Sequence, residues 1–366
     1  MAEVGLLREA FKATTAGEGR RMVLLAGEPG MGKTTLCGEF TRAAHQEGGI
    51  VLYGRSDEEL AAPYQPFAEA LDHLVAHAPA QLLTAHVAEH GGELAALAPG
   101  LSRRLDDVPP PATGDQETQR FRLFAAVVGL LAAASADNPV VVVLDDLHWA
   151  DRPTLTLLRY LVGSSAPTRL LLLGTYRQHE LTKSHPLTET LAALHREAGV
   201  TRLPLTGLDD VDVIALMESD AGHELTRSFV DLAHALRRET DGNPFFVVQL
   251  LQHLVEGGWL FEDDTGQWRA RGDLADLTLP ETVREVVGHR VARLGDDADR
   301  LLSTAAVIGP DFDIDVLGPV AGLPEPDMIE FLDRAVAAGL LTDIGPGRYT
   351  FAHAVIQHAV YEGLSA

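Results

Sequence analysis

The chain predicts an α/β fold: a doubly wound parallel sheet of five strands, followed by an all-α segment and a winged-helix segment. Three observations carry this. Short apolar runs alternate with helical periods up to about residue 205. The apolar run that starts at Met22 breaks into glycines and then Lys33-Thr34-Thr35. From Leu208 onward the alternation gives way to helical periods alone.

Taken in order, Glu3 to Thr14 sets Val4, Leu6, Leu7 and Phe11 on one helical face, ending at Gly17. Met22 to Leu36, MVLLAGEPGMGKTTL, then reads as a strand, a phosphate-binding loop and the start of a helix. Gly27, Gly32, Lys33 and Thr34 fill the pattern G-x-x-x-x-G-K-[ST], in which glycines turn backbone N–H groups inward around phosphates. The helix N-terminus behind the loop adds a favourable dipole. The whole stretch Gly27, Glu28, Pro29, Gly30, Met31, Gly32, Lys33, Thr34 and Thr35 is the candidate cradle. Lys33 is expected to reach the β- and γ-phosphates, and the Thr34 hydroxyl to take one position on Mg²⁺, which accepts hard oxygen ligands. Thr35 is expected to pack or cap locally. The alternative is a glycine-rich turn that matches by accident; against it stand the buried strand of Val23, Leu24 and Leu25 and the helix from Leu36 to Ala44.

Gly49 to Gly54 is a second strand, and residues 67–105 read as an insertion of short helices broken at Pro79, Gly91-Gly92 and Pro99-Gly100. The stretch 106–115, with three consecutive prolines, is an exposed linker. After the helix from Glu117 to Ser135, Val140 to Leu144 forms a third strand closed by Asp145-Asp146. Asp151 caps the next helix, with Pro153 just inside it. Arg169 to Gly174 is the fourth strand, running into Thr175-Tyr176-Arg177; a helix near Pro186 to Arg196 leads to the fifth at Thr201 to Leu205.

The expected domains are 1–207 for the nucleotide-binding sheet, 208–275 for a helical lid and 276–366 for a winged helix. The lid carries helices at 209–219, 224–240 and 245–256, a sharp turn at Asp241-Gly242-Asn243-Pro244 and a short β segment near Trp259 to Trp268. The winged helix is read from helices at 280–294, 297–308 and 325–338, a hairpin around Ile344-Gly345-Pro346 and a last helix at 353–364.

Composition bounds the function. With 29 Lys plus Arg against 53 Asp plus Glu, the formal net charge of −24 repels phosphate backbones and anionic lipid, so direct nucleic-acid binding is not expected. Solubility is the plainer reading of the same charge. The single cysteine, Cys37, forbids an internal disulfide and fits a reducing, cytoplasmic setting; it is either a small core residue or a redox-sensitive thiol beside the phosphates. The N-terminus lacks a signal-peptide pattern, and no run of ~18 apolar residues points to a membrane span.

A phosphate loop needs a metal partner, and a strand ending in carboxylates about 110 residues later supplies one in this fold. Asp145 is the candidate Mg²⁺ partner, directly or through water, and Asp146 the candidate that positions or activates the attacking water. Glutamate is commoner than aspartate in that second role, so slow hydrolysis is expected. Arg177 lies just past the fourth strand, at the edge where open α/β sheets bind ligands. There it either contacts the γ-phosphate or pairs with a surface carboxylate.

The stretches GEPGMGKTTL, VVVLDDLHWAD, LLLLGTYR, DGNPFFVVQLL and FAHAVIQHAVYEGL together resemble the STAND branch of AAA+-related P-loop ATPases. More narrowly, they resemble the ATPase region of large LuxR-type bacterial transcriptional regulators, over nearly the whole chain. The resemblance implies that Arg177 is a sensor arginine, that Pro244 packs on the nucleotide base, and that His353 faces the bound diphosphate. At His353 the acidic residue that often follows is Ala354, and a core histidine is the alternative. His148 and Trp149 are read as packing beneath the metal edge. Two departures stand out: an arginine-bearing segment usual before the first helix is missing, and the sensor and DNA-binding modules are expected outside this chain.

These readings converge on an ATP/ADP-operated switch with slow hydrolysis and nucleotide-dependent self-association. An origin-recognition-like DNA-binding ATPase is the alternative from another class, although helix 325–338 carries Arg334 among acidic residues. A small-molecule kinase would need a lid arginine set and an acceptor pocket, which nothing after residue 208 suggests.

Overall fold

A computed structural model of the chain describes residues 2–28, 30–57, 62–178, 180–256, 258–263, 268–271, 287–288, 291, 294–322, 325–352 and 354–363. It divides into two compact units, one of residues 1–28 and 32–205, the other of residues 29–31 and 206–366.

The first unit is built on five parallel strands: β1 (Arg21–Ala26), β2 (Ile50–Arg55), β3 (Val140–Asp145), β4 (Leu170–Tyr176) and β5 (Val200–Pro204), in the order β2-β3-β4-β1-β5. All four pairings are parallel. Alternation of side chains sorts each strand onto two faces. Val23, Leu25, Val141, Val143, Leu171 and Leu173 pack with Leu7 and Phe11 of α1 (Ala2–Thr15) and with Cys37 and Phe40 of α2 (Lys33–Gln46). Their neighbours Met22, Leu24, Val140, Val142, Leu170 and Leu172 enter a larger core. That core is completed by α3 (Gln65–His77), α6 (Gln116–Ala134) and α7 (Arg152–Gly163). Both faces are covered, as near-continuous apolar strands require, and the doubly wound sheet expected from the sequence is present.

The insertion consists of α3, α4 (Ala80–His90), a 3₁₀ turn (Glu93–Ala96) and α5 (Gly100–Arg104). It begins hard against β2: a Cβ on Gly54 would lie 1.8 Å from the Pro66 carbonyl oxygen, so only glycine fits there. The proline-rich linker ends at Asp115, whose side chain accepts from Thr118 N at 2.8 Å and caps α6. Asp151 likewise accepts from Thr154 N at 2.9 Å and caps α7. A short helix α8 (Pro186–Leu194) precedes β5.

The sheet has a second polar edge, at the strand N-termini. Arg20, just before β1, donates through Nη1 to the carbonyls of Val162 and Ser164 at 3.0 and 2.6 Å. Its Nη2 donates to Ala166 O at 3.2 Å and Thr168 Oγ1 at 3.3 Å. Arg169, just before β4, holds the carbonyls of Ser135 and Ala136.

In the second unit, α9 (Asp210–Ala221), α10 (Arg227–Thr240) and α11 (Pro244–Glu256) precede an antiparallel pair, β6 (Leu260–Glu262) with β7 (Trp268–Ala270). Then come α12 (Asp296–Ile308), β8 (Asp311–Asp313), α13 (Ile314–Ala321), α14 (Glu325–Ala337), β9 (Leu341–Gly345), β10 (Arg348–Phe351) and α15 (Ala354–Gly363). The last three-stranded sheet has the order β8-β10-β9 and is antiparallel. One apolar core takes in Leu236, Leu254, Leu302, Leu332 and Ile356, so the segments 208–275 and 276–366 both contribute to it. The helix expected over 280–294 lies largely outside the described residues. The sequence reading had no element between Ile308 and Glu325, where β8 and α13 stand. Among the described residues, no helix is long and apolar enough to cross a membrane.

Candidate nucleotide-binding site

The phosphate loop joins β1 to α2. Gly32 sits at φ 78°, a left-handed backbone that side chains rarely adopt, and helix α2 starts at the next residue. Gly30 has φ 81°. Lys33 is buried at the head of α2 and donates through Nζ to the carbonyls of Gly27 at 2.8 Å and Glu28 at 3.0 Å. Burial holds its ammonium below the ordinary lysine value, and the Arg177 charge adds to that; Asp146, Glu28 and Asp145 pull the other way. Thr34 and Thr35 are exposed on the first turn. Pro29 lies outside the described residues.

Asp145 ends β3 and is buried. The register that pairs Leu144 with Gly174 sets Thr175 of β4 beside it, and the Thr175 hydroxyl donates to Asp145 Oδ1. Tyr53, from β2 on the other side, donates to Asp145 Oδ2 at 2.7 Å. The Thr34 hydroxyl stands 3.5 Å from the same oxygen. Burial, and then the bond to Asp145, pushes the Tyr53 hydroxyl well above the usual tyrosine value, which keeps it a donor.

Asp146 has φ 55° and caps the 3₁₀ turn Leu147–Trp149; its N–H donates to Thr175 Oγ1 at 2.9 Å. Its carboxylate accepts from Arg55 Nε at 3.1 Å. Burial, and then the charge of Asp145, pushes Asp146 above the usual carboxylate value, while Arg177 and Arg55 pull it back. A carboxylate raised in this way accepts a proton more readily than an ordinary surface aspartate.

Arg177, immediately after β4, donates through Nη1 to Glu180 Oε1 at 2.7 Å. Of its two expected roles, pairing with a carboxylate is therefore present, and the carboxylate is nearly buried rather than on the surface. Glu180 Oε2 lies 3.2 Å from Nε2 of His148, whose ring is buried against Trp149 with centroids 4.9 Å apart. The expected packing of His148 beneath the edge is seen, with the Glu180 carboxylate within ion-pair distance of its ring, a proximity that sequence reading missed.

Cys37 is buried, and its thiol is pushed up to about 12 by burial first and by Asp145 second. It stays a thiol, so of the two expected roles the core residue stands. Pro244 opens α11 in the second unit and is half-buried; Asp241 at φ 50° and Gly242 at φ 71° make the sharp turn before it. His353 lies outside the described residues.

One edge of the sheet thus gathers Gly27, Glu28, Gly32, Lys33 and Thr34 with Asp145, Asp146 and Arg177. Four residues there were not expected: Tyr53, Arg55, Thr175 and Glu180. Their only signal is position, since the first three stand at the C-terminal ends of β2 and β4, next to the carboxylates of β3. The donors around Asp145 and Thr34 are all hard oxygens and suit magnesium. Among the described residues no group of three or more His, Cys, Asp or Glu could hold a metal by itself. Thr34 and Asp145 would hold the ion, which supplies neutralisation of phosphate charge when bound.

Residues 2–173 match the protein family described as AAA ATPase domain. An uncharacterized protein of Rhizobium meliloti (strain 1021) is 25% identical over 385 residues, covering 99% of this chain. The chain spans 35% of that relative's length. A hybrid signal transduction histidine kinase of Dictyostelium discoideum is 25% identical over 134 residues, which are 36% of this chain and 4% of that protein. Among solved structures, the Walker-type ATPase of Pyrococcus abyssi aligns with TM-score 0.46 and 13% identity, covering 98% of this chain and 95% of the other. A RuvB variant of Thermotoga maritima aligns with TM-score 0.43 and 17% identity, covering 99% and 93%.

Proposed function

We propose that the chain is the regulatory ATPase module of a larger bacterial regulator, of the STAND and LuxR-type kind, in which ADP favours a closed form and ATP an open, self-associating one. The observation that carries this reading is the Lys33, Thr34, Asp145 and Asp146 cluster at one sheet edge, with Arg177 tied beside it. Lys33, already surrounded by carbonyl oxygens, is the cation for the β- and γ-phosphates. Asp145 and Thr34 take Mg²⁺, and Asp146 orients the attacking water.

Slow turnover is part of this reading. Asp146 is the shorter carboxylate, and the Arg55 guanidinium occupies one of its oxygens at 3.1 Å. In this reading, exchange of nucleotide rather than its hydrolysis sets the state of the module. The family resemblance assigns Pro244 and His353 to the nucleotide as well. The order helix, strand, helix, helix, strand, strand from Asp296 to Phe351 supports reading 276–366 as a winged helix after a helical lid at 208–275. Its third helix, α14, carries Glu325, Asp327, Glu330 and Asp333 against Arg334, a charge pattern that opposes a phosphate backbone and favours a protein contact over DNA.

The test is the nucleotide content and solution mass of the purified chain with ADP and with a non-hydrolysable ATP analogue. Bound nucleotide and a larger mass with the analogue are expected. No nucleotide and one unchanged mass would sink the proposal, and salt-dependent binding to duplex DNA would favour the origin-recognition-like alternative.

A further inference from the structure

We propose that Glu180 is the positioning residue of Arg177: its carboxylate holds the guanidinium at the phosphate-loop edge, and this sets how well the site tells a nucleoside triphosphate from a diphosphate. The inference rests on the reading of Arg177 as the group that meets the γ-phosphate.

The geometry separates this pair from an ordinary i,i+3 surface bridge. Exposed pairs of that kind contribute little, because two long side chains must be ordered in water. Here the acceptor side is not in water: the Glu180 side chain is 7% exposed, while that of Arg177 is 30% exposed. The two carboxylate oxygens face different partners, Oε1 at 2.7 Å from Arg177 Nη1 and Oε2 at 3.2 Å from His148 Nε2. His148 lies on the inner side of the carboxylate. Its side chain is fully buried, and it sits in the 3₁₀ turn closed by Trp149 N donating to Asp146 O at 2.9 Å. A carboxylate packed against that buried ring on its inner side has little room to move, and so offers a seat for the guanidinium on its outer side.

A guanidinium carries five N–H donors in a rigid fork, so a bond through one edge orients the rest. Arg177 so seated acts electrostatically on both Lys33 and Asp146, the two groups that flank the expected γ-phosphate. Without Glu180 the long side chain would populate many rotamers, and ordering it would be charged against γ-phosphate binding. A diphosphate, which does not reach Arg177 in this reading, would be indifferent to the change.

The experiment measures ATP and ADP affinity of the full chain by titration calorimetry, with magnesium, for wild type, Glu180→Ala, Glu180→Gln, Arg177→Ala and the double variant Arg177→Ala/Glu180→Ala. Loss of a charge-assisted bond predicts ATP binding about tenfold weaker in Glu180→Ala, with ADP within about twofold of wild type. Gln retains an acceptor for Nη1 and should restore most of the discrimination, and the double variant should be no worse than Arg177→Ala alone. If Arg177→Ala abolishes discrimination and Glu180→Ala leaves it intact, or weakens ATP and ADP equally, the role of Glu180 is overturned and that of Arg177 stands. If Arg177→Ala leaves discrimination intact, the sensing role itself falls. Should Glu180→Ala not fold, Glu180→Asp, which draws the carboxylate back from both partners, carries the same test.

Discussion

The two edges of the parallel sheet are built from similar residues and do different things. At the N-terminal edge, the guanidinium groups of Arg20 and Arg169 meet backbone carbonyls of the loops that enter β4 and β3 respectively, with the Thr168 hydroxyl as one further acceptor for Arg20. At the C-terminal edge, Lys33, Arg55 and Arg177 stand among Asp145, Asp146 and Glu180, and the charged groups contact one another or loop carbonyls around one place. Carbonyls satisfied by an arginine are a finished structure. Mutually balanced charges at a strand terminus can exchange partners when a more highly charged ligand arrives, which is the physical difference between a staple and a site.

Four substitutions probe that contrast. The largest effect is expected for Lys33→Ala, which removes the buried cation from the phosphate loop: ATP and ADP affinity should fall by about 100-fold or more, with little change in melting temperature of the nucleotide-free chain. Calorimetric titration alongside a thermal melt checks both halves; an unaffected affinity would dissolve the distinction. Arg20→Ala should do the reverse. Carbonyls of Val162, Ser164 and Ala166 would lose their donor, costing about 2 kcal/mol of stability in denaturant titration while nucleotide affinity stays put.

Asp145→Asn comes next. It should weaken ATP binding about tenfold with magnesium present and much less when the metal is chelated, since the amide is a poor magnesium ligand. Equal losses under both conditions would mean that Asp145 supports the edge through Tyr53 and Thr175 alone. The smallest effect is a pH dependence. Asp146 is raised above its unfolded value by burial and by Asp145, so its contribution to stability is present at low pH and lost as pH rises through the raised folded value. Asp146→Asn should therefore melt roughly 2 °C above wild type at neutral pH, the two curves converging as the pH approaches about 4. A gap that widened on acidification would contradict this.

The sheet was readable because its signals are local. β3 and β4 are runs of valine and leucine buried along their whole length, and the loop pattern from Gly27 to Thr34 is contiguous. Contacts made by register were not readable: Tyr53 meets Asp145 across 92 positions, and Thr175 meets it across 30. Nothing in either residue's own neighbourhood announces the pairing. Helix α13 escaped for another reason. It has eight residues, with Gly318 and an internal Pro319, so it carries two breaker signals inside barely two turns. Its start is fixed by Asp313 accepting from Asp315 N at 2.9 Å, a cap too common among the acidic residues of this chain to stand out.

The backbone of Asp146 has an implication for engineering. At φ 55° the residue occupies a left-handed conformation in which aspartate, asparagine and histidine are several-fold enriched among non-glycine residues. Lengthening the acid to Asp146→Glu would set a less suited residue on that turn. The turn between β3 and Leu147–Trp149 thereby favours the amino acids that can stand at its apex, and a substitution there is limited by backbone conformation before any change of side-chain chemistry is felt.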